Sequence, residues 1–279
     1  MQKIAIPQSS HTIKSKEEII EKWYKKLEFP QSFDKEFYQM LKEIKISDST
    51  SIKTYDCSEG DGRKNLLSFL YMCENLKQRY DEKAISSEIL YDTLKDIVIW
   101  TKTWTELKGS LFLGETGWLS NHLDMRLFKL GRLQFCMSKL SEDIPCANLS
   151  KGDNVLEVHI PAEGPMLRQS CEQSIEMAKK FFKTYYPDFE YKCFTCHSWL
   201  LDTSLKELLD DNSNIIQFQD MFDIVHENKS DAILRYIFKW DTTRSNLHEA
   251  VCTSKFAQKV KDRIISGDDF YSSLGILKI

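Results

Sequence analysis

The stretch VLEVHIPAEGPMLRQS, from Val155 to Ser170, decides the fold class of this chain. Alternating apolar and polar residues predict a β-strand from Asn154 to Ile160, and the Pro/Gly-rich segment that follows is typical of a loop. A long amphipathic helix is predicted next, from Leu167 to the stop at Pro187, because apolar residues recur at helical spacing. This order of strand, loop and helix indicates a helix packed on one face of a sheet.

The flanking segments extend this pattern in both directions. Upstream, Arg132 to Leu140 predicts a strand; downstream, Tyr191 to Leu201 predicts the next one. The segment Asn214 to Phe222 follows, then one or two strands as far as Trp240, and a helix from about Asn246 to Ile265. Strands that alternate with helices of ten or more residues predict a mixed sheet covered by helices.

The first part of the chain has helical spacing instead. Ser15 and Glu18 have the spacing of a capping box and precede a helix that Pro30 ends. A second helix is predicted at about Phe33 to Ile44, and a polar loop from Ser47 to Gly62 follows. Two longer amphipathic segments come next, and their apolar faces are marked by Leu66, Leu67, Leu70, Cys73, Leu76 and Tyr80, and by Ile89, Leu90, Leu94, Ile97, Val98 and Trp104.

Length and composition limit the class of protein. The 279 residues suit two domains, and 42% apolar with 29% charged residues exclude a disordered chain. We predict an α/β (α+β) protein with a helical domain at residues 1–128 and a mixed-sheet domain at 129–279. The net charge of −4 provides no basic surface for nucleic acid, and no apolar run approaches the roughly 20 residues of a membrane span.

The expected location follows from the N-terminus and the cysteines. Met1 to Lys16 lacks the apolar segment of a secretory signal. The eight cysteines, Cys57 among them, are scattered through apolar patterns in a chain long enough to need no disulfides. We therefore expect a cytoplasmic protein with reduced thiols, and neither a membrane nor a nucleic acid as partner.

Two polar side chains of the central predicted strand are candidates for chemistry. Glu157 and His159 are two residues apart and share one face, opposite Leu156, Val158 and Ile160. A carboxylate beside an imidazole can act as a general base and proton relay. The same alternation also fits the water-facing side of an edge strand, and both interpretations stay open at this point.

The loop after this strand is a second candidate. The first turn of a helix has unpaired N–H groups and the positive end of the helix dipole, which together favour a bound anion such as phosphate. Every unit of strand, loop and helix has this form, and Glu163 in the loop disfavours a phosphate. A purely structural turn is therefore the alternative.

Two motifs resemble metal or haem sites. The run Cys193-Phe-Thr-Cys196-His197 matches a haem-attachment pattern, but strand residues three apart point to opposite faces. The run His248-Glu-Ala-Val-Cys252 approaches a zinc-protease signature on a helix, while Asn246 and Glu249 also fit a helix cap and its acidic first turn. We expect no metal and no haem.

Several stretches together resemble one family. They are Phe128 to Phe135 (FKLGRLQF), Leu156 to Pro161, Cys196 to Asp202, and Ser213 to Ile215 with Phe218 and Phe222. They are similar to the two-domain acyltransferase-like family, in which a helical N-acyltransferase N-terminal domain precedes a domain similar to GNAT N-acetyltransferases. The resemblance is dense from Trp118 to Phe222, whereas residues 1–110 match in helical character more than in motif.

The resemblance implies a site for acyl-CoA. In GNAT proteins the strand equivalent to Leu156–Ile160 diverges from its neighbour, here the strand of Ser198. The pantetheine arm lies in the gap, and the following loop and helix start hold the diphosphate. The implied cofactor-binding residues are Val158, Ile160, Gly164, Met166, Leu167, Arg168, Asn214 and Phe218. The usual Arg/Gln-x-x-Gly-x-Gly/Ala loop is absent, Pro165 removes one N–H donor, and Phe218 stands where a tyrosine acid is usual.

The resemblance also implies a reaction, the transfer of an acyl group from acyl-CoA to an amine by direct attack and without a metal. Glu157, helped by His159, would deprotonate the ammonium, and Ser198 or Cys196 would protonate the departing thiolate. Backbone N–H groups would stabilise the oxyanion, and the helical domain would wall the acceptor pocket. Two alternatives stay open: a non-catalytic binding module with a degenerate phosphate loop, and an acyl carrier that forms a thioester at Cys196.

Overall fold

The computed structural model describes residues 15–46 and 62–279. Residues 47–61 of the predicted polar loop, Cys57 among them, and residues 1–14 of the N-terminal segment lie outside the described residues. In the described part of the chain, a helical region comes first and a mixed sheet follows. None of the helices in these ranges is long and apolar enough to cross a bilayer.

The helical region confirms the helices predicted from apolar spacing. The Ser15 hydroxyl accepts the N–H of Glu18 at 3.1 Å, and the Glu18 carboxylate accepts the N–H of Ser15 at 2.8 Å. This reciprocal pair is the predicted capping box. The predicted helices are α1 (Lys16–Lys26), α2 (Asp34–Glu43), α3 (Gly62–Glu82) and α4 (Ser87–Lys108); α5 (Thr116–Leu123) was not predicted.

The second part of the chain confirms the predicted mixed sheet with helices. The strands are β1 (Leu127–Leu130), β2 (Leu133–Lys139), β3 (Asn154–His159), β4 (Cys193–Ser198), β5 (Asp223–Lys229) and β6 (Tyr271–Lys278). The helices are α6 (Arg168–Tyr185), α7 (Asn214–Gln219), α8 (Ala232–Ile237) and α9 (Lys255–Ile265). The sheet order is β1-β2-β3-β4-β6-β5, in which β3 and β4 are parallel and every other neighbouring pair is antiparallel.

The strand predicted from Tyr191 to Leu201 is shorter in the structure. It ends at Ser198, and Trp199–Leu201 forms a turn of 3-10 helix. The Ser198 hydroxyl accepts the N–H of Leu200 at 3.1 Å. Such a local hydrogen bond offers the backbone an alternative to strand pairing, so the chain turns away from the sheet at this point.

The predicted helix start at Asn246 is wrong. Helix α9 begins after Ser254, whose hydroxyl accepts the N–H of Ala257 at 3.0 Å. His248 lies in a short 3-10 turn and Cys252 in the segment before the helix. These two side chains therefore lack the helical i, i+4 geometry that a zinc-protease motif requires.

The last strand, β6, is absent from the sequence prediction. It pairs with β4 on one side and β5 on the other, and its sequence, YSSLGILK, lacks the regular apolar–polar alternation by which a strand is predicted. Its Gly275 has a packing reason, because a Cβ there would lie 2.8 Å from both Leu201 and Phe222. The segment before Trp240, predicted as one or two strands, contains β5 and then helix α8.

One hydrophobic core joins the helices to the sheet. Tyr80 of α3 and Phe128 of β1 are both fully buried, with ring centroids 6.0 Å apart. The N–H of Lys129 donates to the Thr93 hydroxyl of α4 at 2.9 Å. These contacts fix α4 against β1 and bring the helical region to one end of the sheet.

Candidate functional site

Strands β3 and β4 part near their carboxyl ends. Their pairing is limited to two positions, Leu156 with Phe194 and Glu157 with Thr195. Beyond these, β3 stays paired with β2 as far as His159, and β4 stays paired with β6 as far as Ser198. Two strands that keep their outer partners but lose each other leave a wedge, which we call the strand gap, between Val158–His159 and Cys196–Ser198.

The main chain of β3 faces the strand gap at Val158. The N–H of Lys192, just before β4, donates to the Asn154 carbonyl at 2.9 Å, so this carbonyl is directed toward β4. Peptide groups two residues apart along a strand point the same way, which directs those of Leu156 and Val158 toward β4 as well. Because the ladder ends beyond Glu157, the peptide carbonyl of Val158 can pair with a ligand instead.

The structure brings Glu157 and His159 together at this gap. Nε2 of His159 lies 3.5 Å from Oε2 of Glu157, and 31% and 42% of the two side chains are exposed, respectively. The contact with His159 lowers the pKa of Glu157 and outweighs burial, which acts in the opposite direction. At neutral pH Glu157 is therefore an ionised carboxylate beside an imidazole.

Trp118 of α5 contacts His159 from the helical region. Their ring centroids are 4.5 Å apart with an interplanar angle of 65°. The indole N–H of Trp118 donates to Oδ2 of Asp96 on α4 at 2.8 Å. The same oxygen lies 3.0 Å from Nε2 of His122. Two helices thus hold the indole that lies against the imidazole.

Asp96 is ionised although it is buried. Burial alone raises its pKa, but the contacts with His122 and Trp118 together hold the pKa below its usual value. A buried carboxylate is tolerated when such partners surround it. Asp96 was not among the predicted site residues; the available signal was its position between Leu94 and Ile97, which mark the apolar face of this segment.

The loop between β3 and α6 is held by Arg132. Its Nε donates to the Pro165 carbonyl at 3.0 Å and its Nη2 to the Gly164 carbonyl at 3.1 Å. Nη1 is buried and has no hydrogen-bond partner within the described residues. A guanidinium N–H without a partner suits an anion, and so do the free N–H groups of the first turn of α6, which this loop precedes. Arg132 was not among the predicted site residues.

The other predicted residues fall into two groups. Those that follow β3, begin α6 or end β4 are Ile160, Met166, Leu167, Arg168 and Ser198. Leu167 is 49% exposed, while Met166 is buried. The exposed Arg168 pairs with Glu172 at 2.8 Å.

Helix α7 carries the remaining two predicted residues. Asn214 is exposed in its first turn, whereas Phe218 is fully buried against Phe222, with ring centroids 5.1 Å apart. Gln219 fixes the helix to the turn after β4 by donating to the carbonyls of Leu200 at 3.0 Å and Asp202 at 2.7 Å. In this structure the Phe218 ring belongs to the core, not to an open surface.

The cysteines near the gap are poor nucleophiles. Cys196 is 1% exposed, and burial, with the charge of Glu157, raises the pKa of its thiol. A buried thiol of this kind stays protonated and does not attack a thioester. Along the described residues, no group of three or more His, Cys, Asp or Glu side chains is placed to hold a metal ion.

Three features of this chain are typical of the GNAT-like class of proteins. They are a helical domain, a mixed sheet whose parallel strands β3 and β4 diverge, and a helix start suited to an anion in the segment after β3. Family models match both parts of the chain: the GNAT-like C-terminal domain at residues 127–277, and the N-acyltransferase N-terminal domain at residues 14–125. The chain belongs to this two-domain GNAT-like family.

Solved structures of acyltransferases have the same fold. A variant crystallised with octanoyl-CoA has a TM-score of 0.79 at 20% identity, over 94% of this chain and 88% of that one. A complex with decanoyl-CoA and teicoplanin has a TM-score of 0.76 at 20% identity, over 98% and 91%. A complex with CoA and 10C-teicoplanin has 0.77 at 20% identity, over 93% and 87%. Among curated proteins, no sequence matches this chain.

Proposed function

We propose that this protein transfers an acyl group from acyl-CoA to a small-molecule amine. The observation that carries the proposal is the strand gap between β3 and β4, which opens beside Glu157 and His159. The acyl-CoA ligands of the structurally similar acyltransferases support the same donor.

The donor is placed by two groups of contacts. Its diphosphate lies at the first turn of α6, where free N–H groups, Arg168 and the unpartnered Nη1 of Arg132 provide hydrogen bonds and positive charge. Its pantetheine amides pair with the main chain of Val158 in the strand gap, as an added strand would. The thioester then lies between His159 and Ser198.

The amine must lose a proton before it can attack. Imidazole is the stronger base of the two available groups in water, so His159 accepts the proton, and the ionised Glu157 stabilises the imidazolium. The nitrogen then attacks the thioester carbonyl, a C–N bond forms, and the C–S bond breaks. The Ser198 hydroxyl accepts the N–H of Leu200, which leaves its own proton free to reach the departing sulfur. The nitrogen loses its second proton as the amide forms, and this proton replaces the one that Ser198 gave away, while His159 releases its proton to water.

Release of free CoA thiol from octanoyl-CoA in the presence of an amine tests this proposal. Glu157→Gln should slow turnover by about 10²-fold or more while octanoyl-CoA still raises the melting temperature. Glu176→Gln, an exposed change on α6, is the control and should turn over at the parental rate. An unchanged rate in Glu157→Gln would contradict the assigned role of the pair. A melting shift without any thiol release in the parent protein would favour the non-catalytic binding module.

A further inference from the structure

A row of aromatic rings continues from the end of β4 toward the helical region. Trp199 stacks on Tyr236 of α8, with centroids 6.0 Å apart and planes 22° apart. Tyr236 meets Trp240 edge to face at 5.6 Å, and Trp240 meets Trp100 of α4 at 5.2 Å. Tyr236 is 55% exposed and the three indoles are half-buried. These four residues, the aromatic row, present ring surface next to the strand gap.

A half-buried carboxylate accompanies the row. Glu115 directly precedes α5, the helix that carries Trp118. Burial raises the pKa of Glu115, although the nearby Trp104 indole and the Arg235 charge act against this. Nε1 of Trp104 is buried close enough to this carboxylate to lower its pKa, so the indole N–H is not free for a ligand. Glu115 itself is the group at this position that can receive a cation.

The chemistry of this surface distinguishes between the two substrates. Flat rings stack on indole and phenol faces, and ammonium groups are attracted both to such faces and to a carboxylate. The guanidinium of Arg235, 5.7 Å from the Trp240 ring, already occupies a position of this kind. A hydrocarbon chain has neither a ring face for the indoles nor a cation for Glu115, so it gains neither interaction. The row therefore suits the amine and not the acyl chain.

We infer that the aromatic row is the acceptor subsite and that the acceptor is a primary amine whose carbon skeleton bears an aromatic ring. The inference rests on the proposed function, because it assigns the second substrate of the same reaction. The ring packs against the exposed ring surface of Tyr236 and the adjoining edges of the Trp199 and Trp240 indoles. Glu115 attracts the incoming ammonium group, which must then reach Glu157 and His159 to react.

Calorimetric titration of phenethylamine and hexylamine into the full-length protein tests this. Both are primary amines with an apolar body, so the ring is the main difference between them. The parent protein should bind phenethylamine about three- to tenfold more tightly, the range expected for one additional ring contact. Trp240→Ala should abolish this preference and Trp240→Phe should keep it. The control is Tyr91→Ala, because Tyr91 lies nine residues before Trp100 and thus on the opposite side of α4.

Each outcome decides between the proposals. If octanoyl-CoA neither binds nor reacts, but phenethylamine binds and Trp240→Ala abolishes its binding, the proposed transfer fails and the aromatic row stands as a ligand site. If octanoyl-CoA reacts, but hexylamine is bound as tightly as phenethylamine by both the parent and Trp240→Ala, the transfer stands and the inference is overturned. If Trp240→Ala fails to fold, its melting curve will show this. The preference for phenethylamine over hexylamine is then compared between Trp199→Phe and Trp199→Ala instead.

Discussion

Replacement of Asp96 with asparagine removes the charge that holds Trp118 beside His159. In the parent protein one carboxylate oxygen accepts the indole N–H at 2.8 Å and lies 3.0 Å from Nε2 of His122. The carbonyl oxygen of asparagine would still accept a hydrogen bond at this position, but as a neutral group. Its amide NH₂ would add a donor where donors already meet, so that donor would lack an acceptor. Hydrogen bonds to charged groups contribute about 1.5–3 kcal/mol each, and Oδ2 of Asp96 has two such contacts. We expect a loss of about 3 kcal/mol in the free energy of unfolding.

Urea denaturation at pH 7 measures this change. Asp92→Asn is the matched control, because Asp92 lies on the same helix and has no ion-pair partner among the described residues. We expect the control to lie within about 0.5 kcal/mol of the parent. If Asp96→Asn were as stable as Asp92→Asn, the buried network would have no energetic importance and the reasoning would be refuted.

The pH dependence of the stability difference between the parent protein and Asp96→Asn provides a second check. The pKa of Asp96 is below its usual value in the folded protein. A depressed pKa contributes stability that is fully present above the unfolded pKa of about 3.9, and that is lost as the pH falls through the folded pKa. The difference between parent and Asp96→Asn should therefore stay constant from pH 7 to about pH 4 and shrink only below it. A difference that shrinks between pH 7 and 5 would point to another group.

Two further predictions concern the phosphate loop and the sheet. Arg132→Lys should weaken octanoyl-CoA binding about tenfold or more in a calorimetric titration. The reason is that lysine cannot bind the two loop carbonyls and an anion at the same time. An unchanged affinity would show that Arg132 is not part of the site. Gly275→Ala should lower the free energy of unfolding by about 1–3 kcal/mol, because its Cβ would lie 2.8 Å from Leu201 and Phe222. An alanine variant of parental stability would show that the packing around β6 yields easily.

The parts of the site that sequence could predict are those set by local spacing. Glu157 and His159 are two residues apart on a strand, and this alone places them on one face, where the structure has them 3.5 Å apart. The capping box of α1 is local in the same way. These features depend on residues at most three positions apart, so no knowledge of the tertiary fold is needed.

The remaining parts depend on packing between distant segments. Asp96 and Trp118 are 22 positions apart, and their hydrogen bond exists because α4 and α5 pack together. Arg132 reaches Gly164 across 32 positions, through the order of strands in the sheet. Strand β6 has the sequence YSSLGILK, which shows no regular alternation, so periodicity does not reveal it.

Hydrogen exchange with and without saturating octanoyl-CoA tests the placement of the donor most directly. Amide exchange should slow in the peptides that cover residues 157–161 and 168–171, where the strand gap and the first turn of α6 lie. Exchange in residues 223–229 of the edge strand β5 should stay unchanged. Binding of octanoyl-CoA with no protection at either of the first two segments would contradict the account, as would the absence of any binding.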